Sequence, residues 1–308
     1  MKASLLFALI LGAAAPALAR QAAEPPNRFA ATIAPAERFE VQGMLVERHG
    51  QGGRPLVLIP GLGGGSWVWQ ETLREFAARQ AVYVVTLPGF DGRPAPEGDP
   101  IEGARRALLA LIASRKLDRP VLVGHSLGGT LALALAEMQP ARIGGVVTID
   151  GLPVFPGTED LPPEQRPTVA EGMRTRMAGV TGPAFAAQQR QYMRSIGVVD
   201  MNKGDEIARL SARSDPAAMA AYVSGIVALD LRPQLAAITA PVLLMTPYFA
   251  LDSMQAGVTA EQKLAYYREL MKGTPRLEVI PIDNARHFAM FDQPRAVSAA
   301  LRAFLDKL

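Results

Sequence analysis

Six short apolar runs, at residues 55–60, 81–87, 120–124, 143–149, 241–245 and 276–282, alternate along this chain with segments of helix length. Within most of these runs the apolar residues are continuous and do not fall at every second position. A strand of that kind is covered on both faces, as in a parallel sheet with helices packed above and below. Helix candidates fall between the runs at 67–80, 101–116, 127–139, 260–273 and 295–307. The alternation predicts an α/β protein built on a mostly parallel, doubly wound sheet.

One stretch breaks the rhythm. Residues 154–238 hold no strand-like run and read as short helices punctuated by Pro163, Pro167, Gly179, Gly182, Gly197, Gly204 and Pro216. Helices inserted between two strands of such a sheet form a cap over it. Met173, Met177, Met193, Met201 and Met219 lie inside the insertion, where flexible thioethers either fill core gaps or line a substrate site. The expected organisation is a core from 20–153, a helical cap from 154–238 and the rest of the core from 239–308.

The composition, 49% apolar and 20% charged over 308 residues, supports a full core and excludes a disordered chain or a small stapled scaffold. The formal charge is only +3. The pI of 9.3 reflects how few groups titrate between the carboxylates and the lysines. No block of five or more like charges appears, so a nucleic-acid partner is not expected. The absence of cysteine removes disulfides, thiolate metal sites and a cysteine nucleophile. Residues 1–19 combine Lys2, an apolar stretch from Leu5 to Leu11 and a small-x-small end at Ala17-Leu18-Ala19. That pattern predicts a cleaved signal peptide and an exported protein, periplasmic or secreted, with no stable membrane insertion afterwards. The alternative is a retained N-terminal anchor. A Pro-rich arm, 20–36, follows.

Gly124-His125-Ser126-Leu127-Gly128 sits between the run at 120–124 and an apolar helix that Pro140 ends. A sharp strand-to-helix turn needs small residues on both sides of its serine, because the backbone is crowded there. The turn lifts the Ser126 hydroxyl off the sheet edge and aims the first helix amides at the same point. The glycines at 61–65 do not make a dinucleotide fingerprint, since Gly61-x-Gly63-x-x-Ser66 lacks the third glycine, and no Walker sequence occurs.

From about residue 40 to 308 the chain resembles the α/β-hydrolase superfamily. The strings that carry the likeness are at 58–69 (LIPGLGGGSWVW), 87–93 (LPGFDGR), 123–129 (VGHSLGG) and 286–294 (RHFAMFDQP), in the family's order. The resemblance implies the α/β-hydrolase fold, with Ser126 as nucleophile and His287 as its general base. Of the other two histidines, His49 reads as a surface residue and His125 as a packing residue beside the nucleophile. The oxyanion donors would be the amides of Leu127 and of Leu62, the latter in Pro60-Gly61-Leu62 where relatives usually carry His-Gly-x. Two positions are open for the acid. Asp150 ends the run at 143–149, and Asp252 follows the run at 241–245 but lies two residues late and without the usual glycine. Asp283 and Asp292 read as loop and helix-start residues.

The function implied is an exported serine hydrolase that cleaves an ester-like bond of a small or medium apolar substrate through an acyl-enzyme, with no metal or organic cofactor. A serine at the elbow argues against epoxide hydrolases and haloalkane dehalogenases, which need a carboxylate there. The same residues would also serve a lactonase, perhydrolase, amidase or carbon–carbon hydrolase, and the fold also occurs as a non-catalytic binding module. The oligomeric state is left open by the sequence.

Overall fold

The computed structural model describes residues 26–308, so the expected signal peptide at 1–19 lies outside the described residues. In chain order the elements are β1 (Glu37–Val41), β2 (Met44–His49), β3 (Leu56–Ile59), α1 (Gln70–Phe76), β4 (Val82–Thr86), α2 (Pro100–Ser114), β5 (Val121–His125), α3 (Leu127–Met138) and β6 (Gly145–Ile149). After these come α4 (Arg166–Ala178), α5 (Gly182–Tyr192), α6 (Met201–Ser211) and α7 (Pro216–Ala228). The chain ends with β7 (Val242–Tyr248), α8 (Ala250–Ala256), α9 (Ala260–Leu270), β8 (Leu277–Asp283), α10 (Ala289–Asp292) and α11 (Pro294–Leu305).

The strands form one sheet in the order β1-β2-β4-β3-β5-β6-β7-β8. Pairing from β4 to β8 is parallel, and only the β1–β2 and β2–β4 pairs are antiparallel. Period-two alternation splits the apolar runs between two layers. Val57, Ile59 and Leu122 face the side covered by α2 and α3, whereas Leu56, Leu58, Val121 and Val123 face α1 and α11. That double burial is why the sequence shows continuous apolar runs.

The chain passes from β3 through α1 to β4 on one side of β3, then through α2 to β5 on the other side. Strand order therefore reverses around β3, and a crevice opens at the carboxyl ends of β3 and β5, where ligands collect in such sheets. Local sequence starts the helices cleanly. Asp99 accepts from the amides of Ile101 and Glu102 at the head of α2, with Pro100 in the first turn where no amide partner is needed. α3 is buried along almost its whole length, Leu127 to Glu137, and is the central helix of the molecule.

Between β6 and β7 the chain forms α4 to α7 and no strand apart from a single bridge, Val154 to Asp230, at the base of the insertion. Arg166 closes that base from inside. Its buried guanidinium binds the Asp230 carboxylate at 3.1 Å and the carbonyls of Thr158 at 2.8 Å and Leu229 at 3.2 Å. No helix among the described residues is long and apolar enough to cross a membrane.

One local expectation is corrected. His49 is not a surface residue. It ends β2 opposite Val82, is 3% exposed, and burial pushes its imidazole below the ordinary range. β7 continues to Tyr248, and α8 begins at Ala250, which places Asp252 in a helical first turn.

Candidate active site

The turn from β5 into α3 puts Ser126 at φ 51°, ψ −121°, a conformation costly for a residue with a side chain. Its amide donates to the Ile149 carbonyl at 3.0 Å, and its own carbonyl accepts from Gly129 and Thr130. Those bonds hold the strain in place. The two glycines of the motif are fixed by contact. A Cβ on Gly124 would lie 2.2 Å from the Gly128 carbonyl, and one on Gly128 would lie 2.1 Å from the Ile59 carbonyl oxygen. The elbow thus exists only because α3 can press against β5 and the end of β3.

His287 stands in the loop between β8 and α10, and its Nδ1 lies 2.6 Å from Asp150 Oδ2. Asp150 follows β6 at φ 52°, with its amide donating to the Met245 carbonyl at 3.0 Å. Its second oxygen, Oδ1, accepts from the Tyr267 hydroxyl at 2.5 Å. Burial alone would push this carboxyl up. The His287 hydrogen bond and charge, the Lys263 ammonium and the Tyr267 hydroxyl outweigh it and hold the value down at about 2. Asp150 is therefore a carboxylate throughout the neutral range. It accepts the Nδ1 proton and leaves the Nε2 lone pair of His287 free.

The other candidate acid faces a different partner. Asp252 binds Arg286 through both oxygens, each at 2.7 Å, and makes no hydrogen bond to His287. Arg286 also donates to the carbonyls of Arg194 at 2.7 Å and Val198 at 3.1 Å. The next two residues add backbone bonds, from His287 to the Ile196 carbonyl at 3.1 Å and from Phe288 to the Gly197 carbonyl at 2.9 Å. Asp292 accepts from the amides of Val199 and Arg286. Together these lace the histidine loop to the insertion along a single π-helical turn, Met193–Gly197. Asp252 serves this lacing, and Asp292 is more than a helix-start residue.

His125 packs as expected and also bonds. It is fully buried, and burial pushes its imidazole well below the ordinary range, so it is neutral. Nε2 lies 2.9 Å from the His287 carbonyl oxygen, so that nitrogen carries the proton and donates it. The ring thereby ties the elbow to the histidine loop. Leu62 follows Gly61 in the loop after β3, which closes on itself through the Gly64 amide and Gly61 carbonyl at 3.0 Å. A Cβ on Gly61 would lie 3.1 Å from the Ser126 Cβ, so this loop runs directly against the elbow. The Leu62 side chain turns toward α4 and α7, against Ala170 and Val223. Among the described residues neither the Leu62 nor the Leu127 amide is taken up by a hydrogen bond.

A cavity of about 370 Å³ lies over Ser126 and His287. Its apolar wall includes Leu127 and Leu152 from the core and Phe155, Ile196 and Ile226 from the insertion. Of its polar groups, Thr130 spends its hydroxyl on the Leu152 carbonyl at 2.8 Å, and Tyr267 spends its own on Asp150. The Ser126 hydroxyl makes no hydrogen bond among the described residues.

Residues 56–300 match the family model described as the alpha/beta hydrolase family. The chain belongs to that family. Over 267 residues it is 28% identical to a pimeloyl-[acyl-carrier protein] methyl ester esterase of Aeromonas salmonicida, covering 84% of this chain and 98% of the relative. It is 30% identical over 196 residues to a 2-succinyl-6-hydroxy-2,4-cyclohexadiene-1-carboxylate synthase of Escherichia coli, covering 62% of this chain and 76% of the relative. Among solved structures it is similar to a thermophilic esterase from Thermogutta terrifontis, with a TM-score of 0.68 and 22% identity over 88% of this chain and 99% of that one. At that identity the likeness speaks to the fold.

Tyr267, Tyr192 and the π-helical turn were not legible as site residues. Each lies many residues from the motifs and enters the site only through folding. His125 is adjacent to Ser126, but its bond to the His287 carbonyl has no signal in the sequence.

Proposed function

We propose that this protein is an exported serine hydrolase of ester-like substrates, with Ser126 as nucleophile, His287 as general base and Asp150 as the acid. One observation carries the reading. A carboxylate–imidazole pair at 2.6 Å and a serine held at a strained strand-to-helix turn open onto one apolar cavity. Asp150 fixes the Nδ1–H tautomer, so Nε2 takes the Ser126 proton as Oγ attacks the substrate carbonyl carbon. The negative charge that develops on the carbonyl oxygen is met by the amides of Leu62 and Leu127. The tetrahedral species collapses, the alcohol leaves with the proton from His287, and water repeats the cycle to release the acid and free Ser126.

The insertion acts as a cap. Its apolar wall and the lack of an unpaired cation around the cavity, among the described residues, favour a small or medium apolar acyl group. The relative named as a methyl ester esterase supports ester cleavage. The relative named as a synthase keeps a carbon–carbon reaction as the second reading. Residues 1–19 support export.

The test is covalent. The purified protein and its Ser126→Ala variant are treated with a fluorophosphonate and weighed by intact mass spectrometry. One adduct on the wild type and none on the variant is expected. A folded wild type that takes up no adduct overturns the assignment and leaves a binding module as the better account.

A further inference from the structure

Two tyrosines of the site lie close enough to Asp150 to feel its charge, and they are used differently. Tyr267, on α9, gives its hydroxyl to Oδ1. Tyr192 is the last residue of α5, immediately before the π-helical turn. Its ring lies edge-on to the His287 imidazole, with centroids 6.2 Å apart, and it lines the cavity. Its hydroxyl makes no hydrogen bond among the described residues. Burial, and then the charge of Asp150, push this phenol far above its ordinary range, so it is a donor at any working pH.

Tyr192 is half-buried at the cavity wall, and unlike Thr130 and Tyr267 it does not spend its hydroxyl on the protein, so that donor is left for a ligand. The backbone around Tyr192 is built with care. A π-helical turn is rare and concentrates at functional sites. Here its last carbonyls, of Ile196 and Gly197, are held by the amides of His287 and Phe288. The turn that follows Tyr192 is therefore tied to the loop that carries His287. The alcohol part of an ester leaves past the imidazole, because His287 returns the proton to the departing oxygen. Tyr192 lines the cavity beside that imidazole.

We propose that Tyr192 is a substrate-binding residue whose hydroxyl donates to an acceptor oxygen in the alcohol part of the substrate. This deepens the serine-hydrolase reading and rests on it. The site then takes esters of alkoxy- or acyloxy-substituted alcohols in preference to plain alkyl esters of the same shape.

The experiment compares n-butyl butyrate with 2-methoxyethyl butyrate, which differ by one oxygen in place of a methylene. kcat/KM is measured for both on the wild type and on Tyr192→Phe, with fluorophosphonate labelling of each to count competent sites. The preference for the oxygen-bearing ester should be about fivefold larger in the wild type than in the variant, as for one net hydrogen bond. Taking the ratio of ratios cancels the different reactivity of the two alcohols. Equal losses on both esters would mean that Tyr192 only packs, and the inference fails. Labelling of both proteins without turnover of either ester also overturns it. Absence of labelling in the wild type instead sinks the underlying serine-hydrolase reading.

Discussion

Replacing Asp150 and Asp252 by asparagine, one at a time, separates the two carboxylates that the sequence left in competition. In Asp150→Asn the 2.6 Å contact to His287 Nδ1 loses its charge. A charged hydrogen bond is worth about 1.5–3 kcal/mol, but more than that is at stake. Tyr267 donates to Oδ1, so the favoured orientation of the asparagine turns its NH₂ toward the imidazole. Nδ1 must then accept, the proton moves to Nε2, and the base can no longer take the Ser126 proton. The expected loss is about 10⁴-fold in kcat, or roughly 5.5 kcal/mol of activation free energy. In Asp252→Asn the two 2.7 Å contacts to Arg286 weaken, but Arg286 keeps the carbonyls of Arg194 and Val198. That ion pair is half in solvent, with the Asp252 side chain 41% exposed, so about 1 kcal/mol of stability and less than tenfold in kcat is expected. The assay is kcat on a chromogenic short-chain ester at one pH, with thermal unfolding of each variant alongside. A larger loss for Asp252→Asn, or equal losses in the two, would refute the assignment of the acid.

Two further outcomes follow from packing and burial. Gly128→Ala forces a methyl to 2.1 Å from the Ile59 carbonyl oxygen, so either α3 or β3 must move. We expect a loss of at least about 3 kcal/mol of stability together with loss of fluorophosphonate labelling; a variant that melts with the wild type and still labels would contradict the close-approach argument. Glu137, buried in α3, has its carboxyl pushed up to about 7 by burial, with Arg105 pulling weakly the other way. The folded state thus holds this proton more tightly than the unfolded chain, and stability falls as pH rises from 4.5 toward 7. Glu137→Gln should match the wild type near pH 4.5 and exceed it at pH 8 by about 1–2 kcal/mol after solvent screening. Denaturant midpoints of the two proteins at both pH values decide this, and an unchanged difference between them would count against it.

The sequence by itself determined the α/β layout, since continuous apolar runs such as 55–60 and 120–124 are stable only as strands covered on both faces. It also determined the elbow, because Gly124 and Gly128 record a backbone approach that no larger residue permits. The β1–β2 hairpin leaves a weaker mark on the sequence and the burial of His49 leaves none, because burial at the end of β2 depends on the strand that pairs with it. Tertiary structure alone decided which carboxylate reaches His287. Asp150 and Asp252 both follow strands at the carboxyl edge of the sheet. Which of them faces the imidazole depends on Arg286, on the extra turn of α8 and on where Tyr267 of α9 comes to rest. The cavity is decided in the same way. Its walls join α3, the segment after β6, α9 and an insertion whose own sequence has no pattern pointing to the site, and only folding brings Tyr192 beside His287. Periodicity and close contact are local and leave their mark on sequence, whereas a partner chosen across more than a hundred residues does not.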